Sequence, residues 1–196
     1  MVQSTIQGAL SENYPMILIF TVVIVSIRIA YLIVHKEKFV FYKELLMLSF
    51  VIYILCLFQV VTFTDDVPWA TNNFIPFKEI MRYSITSRLF LKNVIGNMVM
   101  FLPFGFFISY YLENKKPYLT IILTLIASIA IESVQMAIGR VFDVDDIILN
   151  LCGGLLGYGL YYLLYKISEK LPSVFKSEWF LNGLSVIILL SILLLV

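Results

Sequence analysis

Histidine occurs once, at His35, and cysteine twice, at Cys56 and Cys152, in a chain of 196 residues. A lone histidine excludes a multi-histidine metal centre. Both cysteines fall in apolar runs, where a thiol behaves as a small hydrophobic side chain, so neither a disulfide nor a cysteine metal site is expected. Charge is also scarce: 14% of the residues are Asp, Glu, Lys or Arg, and they nearly cancel to a net +1. That balance supplies no basic field to recruit nucleic acid. The first fourteen residues contain no Lys or Arg. A secretory signal peptide opens with a basic stretch, so the first apolar segment is expected to be retained. Internal repeats and low-complexity segments are lacking too.

What remains is apolar: 61% of the residues, with a mean hydropathy of +0.95. A soluble domain of this size would expose too much apolar surface, and the long apolar stretches point to a polytopic membrane protein. Six segments stand out: Pro15–Val34, Leu45–Phe63, Asn93–Leu112, Tyr118–Gly139, Ile147–Tyr165 and Trp179–Val196. Each approaches the ~20 residues a helix needs to cross hydrocarbon, and helices satisfy their own backbone groups in lipid. The expected fold is an all-α transmembrane helix bundle of five to six spans, forming a single membrane domain over residues 1–196. The last segment is short enough to lie at the interface instead. Pro103, inside the third span, lacks an N–H and is expected to kink that helix.

Basic residues orient the bundle. Lys36, Lys38 and Lys43, then Lys115 and Lys116, then Lys166, Lys170 and Lys176 fall in the first, third and fifth connections. Their bias places those connections in the cytoplasm, with both termini outside. The loop over residues 64–92 would then be external. It contains the apolar run Phe74-Ile75-Pro76-Phe77 and a loosely amphipathic stretch, Ile80, Met81, Tyr83 and Ile85, suited to lying on the membrane surface. Arg28, near the cytoplasmic end of the first span, is expected to snorkel there.

Three spans carry polar residues at the same end. Asn93 and Asn97 share a helical face with Phe101 and Phe104. Glu132 and Gln135, three apart, point the same way. Glu132 precedes Gly139 by seven residues, about 10 Å of helix at ~1.5 Å per residue. A carboxyl at that depth either stays protonated or pairs with a cation or metal ion. Arg140 is two turns on and reaches it only by folding back or if the helix ends early. Asp145 or Asp146 is placed to cap the fifth span, in a solvated turn that includes Asp143. Asp146, Asn150, Gly153 and Gly157 line one face, and the two glycines suit close helix approach. The candidate binding set is therefore Asn93, Asn97, Glu132, Gln135, Arg140, Asp143, Asp146 and Asn150. A polar network that merely joins helices is the structural alternative.

Three blocks carry a resemblance: Asn73-Phe-Ile-Pro76-Phe77; Asn93-Val-Ile-Gly-Asn97 with Phe101-Leu-Pro103-Phe104-Gly105-Phe106; and Glu132-x-x-Gln135 with Arg140, Asp143, Asp146, Asn150, Gly153 and Gly154. In this order they are similar to the VanZ-like family of bacterial membrane proteins. The resemblance implies a multi-pass protein of the bacterial plasma membrane. It further implies a role at the envelope, since the family's namesake is associated with resistance to glycopeptides, notably teicoplanin and its lipidated relatives. The leading expectation is therefore a binder of a membrane lipid, a lipid-linked cell-wall precursor or a lipoglycopeptide, without a cofactor. Its polar pocket would be edged by Phe74, Phe77, Phe101 and Phe104, with Arg140 donating to a phosphate or carboxylate. The alternative is an intramembrane enzyme acting on a polyprenyl or phospholipid phosphate. Glu132, Asp143 and Asp146 would be its catalytic candidates, holding Mg²⁺ or Ca²⁺. A proton- or ion-coupled transporter using Glu132 ranks third, because no chain of ionisable groups crosses the membrane.

Overall fold

A computed structural model describes residues 2–62 and 72–195. The first part of the 64–92 loop, through Thr71, and the last residue of the sixth segment, Val196, lie outside them. The described chain is helical: α1 (Val2–His35), α2 (Phe41–Thr62), α3 (Lys78–Arg82), α4 (Arg88–Phe90), α5 (Gly96–Tyr111), α6 (Tyr118–Ala137), α7 (Val144–Lys170) and α8 (Glu178–Leu195). Five stretches are long and apolar enough to cross a membrane: Leu18–His35, Phe41–Val61, Arg88–Tyr111, Tyr118–Ala137 and Val144–Lys170. The apolar stretch of α8, Glu178–Ile192, is shorter.

The chain divides into two compact units, Met1–Ala9 with Leu57–Leu164, and Leu10–Cys56 with Tyr165–Val196. In the second unit an ion pair ties α1 to α2. Arg28 donates through Nε and Nη2 to the two Glu44 oxygens, at 2.9 and 3.0 Å, and lies 3.6 Å from Glu37. Arg28 thus pairs within the protein instead of snorkelling alone, because the two-pronged guanidinium matches a carboxylate. The Tyr42 N–H donates to Asn182 Oδ1 at 3.0 Å, fixing α8 to the start of α2.

The first unit holds α5, α6 and most of α7. Helix α6 is amphipathic with its polar side inward. Thr120, Thr124, Ser128 and Glu132, each four residues after the last, are all at most 1% exposed, whereas Ile122, Ile126 and Ile129 are 48–60% exposed. Such a helix hides what water would solvate and shows what lipid tolerates. On α7 a run of small residues permits backbone contact. A Cβ at Gly153 would lie 2.1 Å from the Met98 carbonyl oxygen, one at Gly157 2.1 Å from that of Leu102, and one at Gly105 1.9 Å from that of Gly154. Helices α5 and α7 are therefore parallel neighbours, touching main chain to main chain. On its other side α7 runs antiparallel to α6. Thr124 fills the space at Gly154, where a Cβ would lie 2.6 Å from Thr124 Oγ1, and Asn150 Nδ2 donates to Ser128 Oγ at 2.9 Å.

The third span continues through Pro103 as part of α5. It carries a further irregularity upstream, a π turn over Leu91–Ile95 in which the Gly96 N–H reaches the Leu91 carbonyl. π turns of this kind frequently mark functional regions of helices.

Candidate functional site

The polar end of the first unit is built where α6 stops. Gly139 has φ +86°. Its N–H bonds to the Met136 carbonyl at 3.2 Å, and the Arg140 N–H to that of Gln135 at 2.8 Å. This is a Schellman closure with glycine in the left-handed position. The helix thus ends early enough for Arg140 to fold back. Arg140 Nη1 donates to the Val61 carbonyl at 2.9 Å. With the Gln135 amide oriented to satisfy both neighbours, its oxygen accepts from Arg140 Nη1 and its nitrogen donates to Glu132 Oε1, both at 3.0 Å. Gln135 therefore couples the guanidinium to the buried carboxyl. Around Gly139 no neighbour lies within 4 Å of an added Cβ, so the cost of Gly139→Ala is purely conformational. It should destabilise the protein by about 1–2 kcal/mol, with Gly139→Asn recovering part of the loss. An unchanged thermal midpoint in detergent for Gly139→Ala would refute this.

The other Glu132 oxygen accepts the Asp143 N–H at 2.9 Å. Asp143 is the cap of α7: its Oδ1 accepts the Asp145 N–H at 2.8 Å and also the Asn73 amide at 2.8 Å. Burial pushes its carboxyl above the ordinary aspartate range, against the pull of those hydrogen bonds. Asn73 and Asp143 form an isolated parallel bridge, with Asn73 N–H to Phe142 O at 2.8 Å and Val144 N–H to Asn73 O at 3.1 Å. The Phe74 and Phe142 rings stack beside it, 5.4 Å apart. The segment that starts at Asn72 is thereby stitched to the α6–α7 turn.

Asp145 behaves differently from expectation. It is 1% exposed, so it is in no solvated turn, and it caps a distant helix instead of its own. Its two oxygens accept the N–H groups of Phe77, Glu79 and Ile80, the last two at 2.7 and 3.1 Å. These are the orphan donors at the start of α3. The same bonds hold Phe77 at φ +66°, a conformation that a bulky residue rarely adopts. Sequence spacing gave no signal for this contact, since donor and acceptor are separated by 66 residues in the case of Glu79.

Hydrogen bonds join Glu132, Gln135, Arg140 and Asp143 directly. Asp146 accepts from the Asn97 amide and lies within electrostatic range of Glu132, Asp143 and Arg140. Asn93 and Asn150 bond elsewhere, Asn93 to the Tyr83 hydroxyl at 2.9 Å and Asn150 to Ser128 within the helix packing. Phe74 and Phe77 are exposed, but Phe101 is completely buried and edges no pocket. It packs in the core against Phe104, with ring centres 5.6 Å apart. Among the described residues no group of three or more His, Cys, Asp or Glu is arranged to hold a metal ion. Of the three catalytic candidates, Glu132 accepts N–H groups through both oxygens, and Asp143 and Asp146 each accept through Oδ1.

Five apolar spans, with α6 buried on its polar face and exposed on its apolar one, define a multi-pass membrane protein. Residues 50–165, which contain every residue of the polar cluster, match the family model described as VanZ/LLP1, and the chain belongs to that family. No curated protein and no solved structure matches it.

Proposed function

We propose that this chain acts in the bacterial plasma membrane by binding a lipid-linked ligand at the Arg140 end of the bundle, and that it thereby lowers susceptibility to teicoplanin-type glycopeptides. The ligand is a lipoglycopeptide or a lipid-linked cell-wall precursor. The observation that carries this reading is the occurrence of two chemistries two residues apart on the α6–α7 turn. A half-buried arginine, oriented through Gln135 and Val61, suits an anionic head group. Two residues along the chain, Phe142 stacks on Phe74, and the adjoining Ile75, Phe77 and Met81 are exposed and suit an alkyl chain. Membership of the VanZ/LLP1 family supports the envelope role. No observation favours the metal-assisted enzyme.

The test is teicoplanin susceptibility of a sensitive Gram-positive host carrying the wild type, Glu132→Gln, Arg140→Ala or empty vector, with membrane levels matched. The wild type should raise the inhibitory concentration several-fold, and both variants should lose most of that protection. A wild type no better than empty vector at normal membrane levels would sink the proposal.

A further inference from the structure

Counting only ionisable side chains among the described residues, nothing crosses the bundle. Counting hydroxyls and amides, something does. Thr120, Thr124, Ser128 and Glu132 form one fully buried column on α6. At ~1.5 Å per residue it spans about 18 Å of the ~30 Å hydrocarbon thickness. Both ends are extended by other elements. At one end Thr120 Oγ1 is 2.9 Å from Ser109 Oγ, and the Ser109 carbonyl accepts the Asn114 N–H at 3.0 Å, in the turn before α6. At the other end Glu132 meets Gln135, Arg140 and the Asp143 N–H. In the middle Ser128 accepts from Asn150.

A second observation distinguishes this column from simple helix glue. One buried polar atom of the column, Thr124 Oγ1, and two on residues beside it, Asn150 Oδ1 and Asn114 Nδ2, have no protein partner, on residues that are 0%, 2% and 7% exposed. A hydroxyl or amide left unpaired in the interior costs about 1–3 kcal/mol, and native proteins meet such groups with internal water. Successive column residues are about 6 Å apart along the axis, more than one water bonded to two oxygens covers at ~2.8 Å per hydrogen bond, so a pair of waters is needed to bridge each gap.

We propose that this column is a water-assisted proton path linking the Asn114 end of the bundle to the Glu132 carboxyl, so that the protein conducts protons across the membrane. The path stands on the column and its unpaired atoms, independently of the ligand reading. Each hydroxyl or water oxygen along it accepts one proton and releases another, so no oxygen accumulates charge. Glu132 accepts the proton as a carboxylate and passes it on at the end where the Asp143 N–H and, through Gln135, Arg140 meet it.

The test uses the full chain in potassium-loaded liposomes. Valinomycin sets an inside-negative potential, and an enclosed pH dye reads proton entry. The wild type should acidify the lumen faster than protein-free liposomes. Thr124→Val keeps the side-chain shape but removes the hydroxyl, and should reduce the rate about tenfold. Ser128→Ala should do likewise, and Glu132→Gln should abolish the flux. Gly159→Ala, at an open position on α7, should leave it unchanged. Melting temperature is measured alongside, since a merely structural column would lose stability and not flux. A wild-type rate equal to that of protein-free liposomes, or a folded Thr124→Val with the wild-type rate, overturns the proposal.

Discussion

Asp145→Ala should release the segment around α3 from the bundle. Three N–H groups, of Phe77, Glu79 and Ile80, converge on this one carboxylate, and hydrogen bonds to an ionised acceptor contribute about 1.5–3 kcal/mol each. Water can recover part of that once the exposed segment lifts, so the net loss should be about 3 kcal/mol, not the full sum. The local opening equilibrium then shifts about 100-fold. Trypsin reads this directly at Lys78 and Arg82, because cleavage follows the population of the open form when reclosing is fast. Asp145→Asn keeps one carbonyl oxygen and should fall between alanine and wild type. Identical cleavage rates for wild type and Asp145→Ala would show that the Asn73–Asp143 bridge alone holds the segment.

Gly157→Ala should be severely destabilising, while Gly159→Ala, two residues along the same helix, should not. A Cβ at Gly157 meets the Leu102 carbonyl oxygen at 2.1 Å and the Phe106 nitrogen at 2.6 Å, whereas one at Gly159 meets nothing within 4 Å. Main chain cannot move aside as a side-chain tip can, so α5 and α7 must separate. Overpacking of this kind costs about 3 kcal/mol. The open position instead gains up to about 1 kcal/mol from alanine's better helix propensity. Thermal unfolding of the two variants in the same detergent checks the contrast. Equal midpoints would mean that the α5–α7 contact contributes little.

Much of this architecture was legible in the sequence because lipid imposes simple rules. Apolar length located the spans, and the rarity of Glu132, Asp146 and Asn150 within them marked the polar faces. The glycines at 153 and 157 announced close packing. Thr120, Thr124 and Ser128 were overlooked because a hydroxyl residue in an apolar helix is cheap. Their exact four-residue spacing, ending on Glu132, was the available signal. Asp145 was misassigned for a different reason. Local spacing places it ideally to cap its own helix, but Asp143 does that, and tertiary contact gives Asp145 to α3. Phe101 looked like a pocket wall because it shares a helical face with Asn97, and that face turns out to be interior. Asn93 shares the face too, yet Tyr83 takes it.

The Asp145 cap also orders events during synthesis. The ribosome makes the Glu79 N–H 66 residues before the carboxylate that will satisfy it. At the usual 5–20 residues per second, that is a delay of roughly 3–13 s. Throughout that interval α3 has its apolar residues and its orphan donors but lacks its acceptor. The stretch from Phe77 to Ile80 therefore gains its Asp145 bonds only once the start of the fifth span has been made. The arrival of the fifth span, and not the insertion of the second or third, is the step that completes it.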